Sequence, residues 1–242
     1  MGRTLAFLAA LALLGAAAAA PAQSGGVQVS PVVIEMAPER GLTSLRVRNG
    51  RERETSFEML AYAWSQAEGE NALSPTRALI IAPSVFAIGA NDEQIVRVAL
   101  ASEARQTLQN GREQTYRLVL RELPPPEPLP ESFRGGSRMV LEMSMPVFVT
   151  PQGLTPQLYA RRIEQDGQPA LLIGNRGGAH ARLGDVQSLP SGEHLADAPR
   201  YLLAGAEFIT SLPHTAHSVR LRRATSRQPV PIEETFALAA QR

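Results

Sequence analysis

The sequence of 242 residues contains no cysteine, and all 24 of its basic residues are arginine, so lysine is absent as well. Without cysteine, the chain forms no disulfide bond, holds no thiolate-ligated metal and offers no thiol nucleophile. Without lysine, it has no amine for a Schiff base or for an amine general base. The formal net charge of +1 also argues against a nucleic-acid-binding protein, which usually carries a basic excess or stripe.

The first 22 residues have the pattern of a cleavable signal peptide. Arg3 supplies a positive charge, an unbroken apolar run covers residues 5–20, and Ala20-Pro21-Ala22 places small residues where a signal peptidase reads them. A membrane anchor is the alternative, but the run is short and rich in alanine for a span of about 20 strongly apolar residues. We therefore expect cleavage after Ala22, export from the cytoplasm and no membrane insertion.

From residue 27 onward, short apolar runs with a period of two are separated by Gly, Pro, Asn and Asp, which indicates an all-β fold. Residues 99–109 predict a connecting turn or a brief helix. The predicted strands of a first domain, residues 23–150, cover 27–36, 42–48, 55–64, 79–81, 94–100, 114–123 and 138–149. Seven such strands are typical of an immunoglobulin-like sandwich.

A second, smaller sandwich is predicted for residues 151–242, after a boundary marked by Pro151, Gly153 and Pro156. Its predicted strands cover residues 157–164, 170–175, 179–187, 200–204, 218–223 and 235–239.

The last predicted strand of the first domain has an unusual pattern. Its odd positions are all apolar and share one face: Met139, Leu141, Met143, Met145, Val147 and Val149. Pro146 removes a backbone donor, which is tolerated mainly at the edge of a sheet. An edge strand with a continuous apolar face needs a cover. The pattern therefore predicts a partner that accepts this strand.

Several segments, in this order and spacing, resemble PapD-like periplasmic chaperones of the chaperone-usher pilus pathway, in particular the branch that serves archaic or spore-coat-type pili. They are VQVSP at 27–31, SLRVRNG at 44–50, LIIAPSVFAIGANDEQIVRVAL at 79–100, YRLVLRELPPP at 116–126 and MPVFVTP at 145–151. The resemblance implies two immunoglobulin-like β-sandwich domains in an L-shaped arrangement, and a binding protein without enzymatic activity or cofactor.

The resemblance also implies partners: pilin subunits and an outer-membrane usher. In this family, an edge strand of the chaperone completes the unfinished sandwich of the pilin, a form of β-augmentation called donor-strand complementation. The residues implied to bind pilin are Met139, Val140, Leu141, Met143, Met145 and Val147, with the side chains of Met139, Leu141 and Met143 as the main plugs. In the free protein, a second copy of the chain is a further candidate to cover this strand, as a self-capping dimer.

Family members hold the terminal carboxylate of the subunit with an arginine on the first strand and a lysine near the end of the donor strand. Here those positions fall at Val33, or Pro31 in a shifted register, and at Pro146. Arg117 and Arg138 are candidate replacements by location, and a solvated surface arginine is the alternative for each.

A further pair implied by the resemblance is Arg97 with Glu122 near the domain junction, to which Glu233 or Glu234 would add an acidic group. The alternative function is a secreted two-domain immunoglobulin-like module with a structural or adhesive role. A metal-dependent hydrolase is a distant third, because the four histidines at 180, 194, 214 and 217 are scattered and fit loops better than a metal site.

Overall fold

The computed structural model describes residues 25–67, 69–108, 111–124, 139–195, 199–225 and 228–238. In its first part the elements are β1 (Val27–Ser30), β2 (Ile34–Met36), β3 (Leu42–Asn49), β4 (Thr55–Ala67), β5 (Glu70–Pro75), β6 (Leu79–Ala82), β7 (Val85–Ile88), β8 (Glu93–Leu100), α1 (Ser102–Thr107), β9 (Gln114–Glu122) and β10 (Glu142–Val149). In its second part they are β11 (Leu158–Gln165), β12 (Gln168–Asn175), β13 (Ala181–Leu189), β14 (Tyr201–Leu202), β15 (Glu207–Ser211), β16 (Ser218–Thr225) and β17 (Gln228–Ala237).

The strands form four sheets, two in each half of the chain. Sheet I has the order β1-β3-β8-β6, and sheet II has the order β2-β10-β9-β4-β5, with β7 also paired to β4. Sheet III has the order β11-β12-β15, and sheet IV has the order β14-β13-β16-β17. The prediction of an all-β chain built from two sandwiches is therefore confirmed.

Alternation along the strands explains both cores. In β3, Leu45 and Val47 point inward while Arg46 and Arg48 stay exposed, as expected for a sheet with one wet face. The side chains of sheets I and II meet in one apolar core. Sheets III and IV enclose a second core, which also takes in Trp64 and Phe148 from the first half of the chain. The two sandwiches thus share apolar packing where they meet.

Several predicted strands differ from those in the structure. The predicted strand 27–36 divides, with β1 in sheet I and β2 in sheet II, because Pro31 between them cannot donate to a ladder. Strands β5, β7 and β15 were not predicted, and all six residues of β5 are exposed, so it carries no alternating signal. The predicted strand 138–149 begins at Glu142. The brief helix is confirmed as α1.

Candidate functional site

Strand β10 has a neighbouring strand along its whole length on one side and along only part of its length on the other. It runs antiparallel to β9 from Glu142 to Val149 on one side. On the other side, β2 pairs with it in parallel from Val147 to Val149 only. Within the described residues, the stretch Glu142 to Pro146 therefore has a backbone edge with no neighbouring strand, which is a template for pairing with another chain.

The side chains of this segment change from buried to exposed toward its beginning. Met145 and Val147 are fully buried in the core of the first sandwich, and Met143 packs partly against the same core. Leu141 is half-buried, whereas Met139 is 93% exposed and Val140 is 53% exposed. The side chains of Met145 and Val147 thus fill this protein's own core, and a contribution of these two residues to pilin binding stays a prediction.

Pro146 lies where the unpaired edge meets β2. The Glu122 N–H donates to the Leu141 carbonyl at 2.9 Å, so odd-numbered residues of β10 exchange backbone hydrogen bonds with β9. The N–H and C=O groups of Glu142 and Ser144 therefore point toward the open edge. Because Pro146 has no N–H, it ends the run of donors along that edge.

Glu122 pairs with Arg51, and not with Arg97 as predicted. The two guanidinium nitrogens of Arg51 donate to the two carboxylate oxygens of Glu122 at 2.6 and 3.0 Å. Arg97 is exposed on the outer face of β8 in sheet I, whereas Glu122 ends β9 in sheet II. The predicted pair fails because its members belong to the two opposed sheets of the first sandwich.

The ion pair of Arg51 and Glu122 lies beside the start of β10. The Leu141 N–H donates to the Glu122 Oε2 atom at 3.2 Å, and Glu122 is only 7% exposed. The hydrogen bond from Arg51 holds the pKa of the Glu122 carboxyl below its ordinary value, and the same bond raises the pKa of Arg51. Glu122 is thus an ionised, oriented acceptor at the point where the exposed segment enters the sheet.

Arg117 lies on the outer face of sheet II, where the two sandwiches meet. It is opposite Pro146 of β10 and Tyr62 of β4. Its guanidinium carbon stacks 3.8 Å from the centroid of the Trp64 ring, a cation–π contact. Burial lowers the pKa of Arg117. None of the ion pairs among the described residues includes Arg117.

A buried polar cluster joins the two sandwiches beside Arg117. The His180 Nδ1 atom lies 2.9 and 3.0 Å from the two carboxylate oxygens of Glu113, and the His180 N–H donates to the same carboxylate at 3.0 Å. Thr150 donates to it at 2.6 Å. The His180 ring stacks on Phe148 with a centroid distance of 3.5 Å. Glu113 and His180 are 8% and 5% exposed, so this cluster is an internal connection between the sandwiches.

Gln66, near the end of β4, makes a second polar connection between the sandwiches. Its side-chain N–H donates to the Tyr201 carbonyl, and its side-chain oxygen accepts the Leu203 N–H, both at 2.9 Å. The length of β4 brings this amide beyond the first sandwich. Two separate polar contacts therefore fix the junction beside Arg117.

The remaining predicted residues are Arg138, Glu233 and Glu234. Arg138 is outside the described residues. Glu233 pairs with Arg220 and Arg222, and Glu234 pairs with Arg223, so both serve sheet IV. In the described part of the chain, no group of three or more His, Asp or Glu side chains is placed to hold a metal ion. That part also contains no helix suited to spanning a lipid bilayer.

The residues that sequence reasoning missed are Arg51, Glu113 and His180. Arg51 follows the Asn49-Gly50 turn, which indicates a loop but does not name its neighbour. Glu113 and His180 are 67 positions apart in the sequence, and no local pattern links them. Of these three, only His180 was noted beforehand, as one of four scattered histidines.

Comparison with known families gives one sequence match. Residues 26–155 match the model of the family described as pili and flagellar-assembly chaperone, PapD N-terminal domain. This segment is just over half of the 242 residues. No functionally curated protein matches the sequence.

Solved structures share the fold over nearly the whole chain. A chain in the CsuC–CsuE complex of chaperone and tip adhesion subunit from archaic Csu pili of Acinetobacter baumannii is 19% identical, with a TM-score of 0.69, over 88% of this chain and 99% of that chain. A chain in the complex of SafA pilin and SafB chaperone from Salmonella enterica is 14% identical, with a TM-score of 0.65, over 88% and 96%. The CupB2 chaperone of Pseudomonas aeruginosa is 15% identical, with a TM-score of 0.61, over 88% and 100%. At such identities the likeness is one of fold.

Proposed function

Because this chain belongs to the family of pili and flagellar-assembly chaperones with a PapD N-terminal domain, we propose that it binds pilin subunits by donor-strand complementation and delivers them to an outer-membrane usher. This function places the protein in the periplasm. The observation that carries the proposal is the unpaired edge of β10 from Glu142 to Pro146, which continues into the exposed residues Met139 and Val140.

The open edge supplies the backbone half of the interaction. A pilin strand that lies beside β10 accepts from, and donates to, the N–H and C=O groups of Glu142 and Ser144. Strand β2 occupies the same side from Val147 onward. The pilin strand therefore ends near Pro146, and its length along β10 is limited by this protein's own β2.

The apolar side chains supply the other half. Met139 and Leu141 lie on the same side of an extended chain as Met143. Burying them in a pilin groove contributes about 1.5–3 kcal/mol each, before the cost of ordering the segment. Methionine suits such a groove because its flexible thioether adapts to irregular shapes. Met143 already packs partly against the core of the first sandwich. In the complex, its side chain would connect that core with the apolar core of the pilin.

Arg117 is the residue we propose for anchoring the pilin carboxylate. It is opposite Pro146, the position where the family resemblance places a lysine. The stack on Trp64 holds the guanidinium at the junction of the sandwiches. A planar guanidinium binds a carboxylate through two parallel hydrogen bonds, which a lysine cannot do. Arg117 alone thus makes the carboxylate contacts that other family members make with two residues.

The proposed function is tested by co-expression with a pilin encoded beside this protein's gene, both directed to the periplasm. We expect the two proteins to purify as a complex, and the pilin expressed alone to aggregate or be degraded because its sandwich is incomplete. A pilin that is equally soluble and stable without this protein, and does not co-purify with it, would contradict the proposal. It would favour the structural or adhesive module instead.

Replacing Arg117 with alanine will weaken pilin capture about 10- to 100-fold, the loss expected for a charge-assisted bidentate contact. The measurement is the equilibrium dissociation constant for a pilin with its native C-terminus and for one extended by a few residues. The extension displaces the carboxylate, so Arg117→Ala should cost nothing further with the extended pilin. Arg97→Ala, an exposed arginine on the opposite sheet, is the matched control. An equal loss with both pilins would exclude Arg117 as the carboxylate anchor.

A further inference from the structure

The residue before β10 is held at both of its backbone groups by one residue. The Leu141 carbonyl accepts the Glu122 N–H at 2.9 Å. The Leu141 N–H donates to the Glu122 side chain at 3.2 Å. An ordinary antiparallel pair would use the partner's carbonyl for the second bond. Here a carboxylate takes its place, and the position of Leu141 depends on how that carboxylate is oriented.

Arg51 orients that carboxylate. Its two nitrogens donate to the two Glu122 oxygens at 2.6 and 3.0 Å, which leaves Oε2 directed at both Arg51 and the Leu141 N–H. The side chains of Arg51 and Glu122 are 25% and 8% exposed. A bidentate contact restricts rotation of the carboxylate far more than a single hydrogen bond does. The orientation of the acceptor is therefore fixed before any partner arrives.

Leu141 is also the boundary between held and free residues. Beyond it, Val140 and Met139 belong to no strand and are largely exposed. A partner that receives this segment must order its residues, and the free-energy cost of doing so is subtracted from the binding energy. A segment that already leaves the sheet in a fixed direction and register costs less to bind.

We propose that Glu122, oriented by Arg51, is a positioning residue that sets the register and direction in which the segment at Met139 to Leu141 is presented to its partner. This inference rests on the proposed function and adds a role that neither the fold nor the apolar pattern requires. An ion pair that only stabilises the first sandwich is the competing explanation. The positioning role requires a hydrogen-bond acceptor at position 122, whereas the competing explanation requires only an ion pair there.

Two variants of the full-length protein separate these explanations. Glu122→Gln keeps one oxygen that can accept both an Arg51 N–H and the Leu141 N–H, as Oε2 does in the wild type, so Arg51 still orients it, but the variant loses the carboxylate charge and with it the ion pair. The double variant Arg51→Glu with Glu122→Arg restores an ion pair in reverse, but arginine has no acceptor. The measurements are the urea midpoint, the exchange rate of the Leu141 amide hydrogen in the free protein, and the dissociation constant for the co-expressed pilin.

We expect Glu122→Gln to lower the urea midpoint while Leu141 exchange and pilin capture stay within about threefold of wild type. We expect the reversed pair to recover much of the midpoint, yet to exchange Leu141 about tenfold faster and to bind pilin about tenfold more weakly, the loss of roughly one hydrogen bond. Wild-type exchange and capture in the reversed pair would overturn the proposal. So would a Glu122→Gln variant that loses both.

Should the reversed pair fail to fold, Glu122→Ala replaces it, since alanine also lacks an acceptor and leaves Arg51 able to reach solvent. The same contrast with Glu122→Gln then decides between the explanations. The exchange measurement needs no partner. If no pilin binds even the wild type, the proposed function fails while the free-protein exchange still shows whether Glu122 holds Leu141.

Discussion

Replacing Met139 and Leu141 together with aspartate will abolish pilin capture and leave the protein folded. The two wild-type side chains contribute about 1.5–3 kcal/mol each when buried in a groove. Two carboxylates forced into the same apolar space would instead cost several kcal/mol. The combined change exceeds about a thousandfold in affinity. The free protein tolerates the change because Met139 is 93% exposed and Leu141 is only half-buried.

The measurement is the amount of pilin that co-purifies, with the circular dichroism spectrum and the thermal midpoint of the free variant as the check on folding. Met143 is avoided because it packs against the core of the first sandwich, so a charge there would test folding as well. Ser144→Asp places a charge on the exposed outer face of β10 and serves as the matched control, with a loss below about tenfold expected because the charge stays solvated. Wild-type recovery of pilin with the double variant would remove the donor-strand assignment.

Replacing Glu113 with alanine will lower the free energy of unfolding by about 3–5 kcal/mol. The substitution leaves both the backbone N–H and the ring N–H of His180 buried without the acceptor that Glu113 supplies. Because Glu113 and His180 belong to different sandwiches, the loss also loosens the connection between them. We therefore expect urea unfolding to become less cooperative, with separate transitions for the two halves.

Two control variants give this prediction its specificity. Glu113→Gln retains an acceptor and should cost less than the alanine variant. Glu93→Ala removes an exposed ion pair with Arg46 and should change stability by no more than about 1 kcal/mol. A Glu113→Ala protein within about 1 kcal/mol of wild type would show that the buried cluster adds little beyond the apolar packing of Phe148 and Trp64.

The sequence was a good guide to strands that bury one face. Strand β3 was predicted nearly to its ends because Leu45 and Val47 alternate with exposed arginines. Strand β5 was not, since pairing with β4 creates it and its own side chains are all exposed. The apolar pattern before Pro146 likewise indicated an exposed strand. Only the structure shows that β2 pairs with β10 from Val147 onward, so that the open edge ends at Pro146.

The charged contacts were harder to predict because they depend on which sheet each strand joins. A motif order placed Arg97 and Glu122 together, although β8 and β9 belong to opposed sheets. Arg51 reaches Glu122 from a turn, across 71 positions of sequence. Arg117 was a candidate from its place in the chain alone. The structure adds the stack on Trp64, which no spacing of residues encodes.

Trp64 has a consequence for how the protein can be studied. It is the only tryptophan in the chain, and it contacts Arg117, Phe148 and Tyr201 at the junction of the sandwiches. Its fluorescence therefore originates from one place, beside the residue proposed to receive the pilin carboxylate. Emission and quenching of this indole report, without any label, both on movement of the Arg117 guanidinium and on opening of the junction.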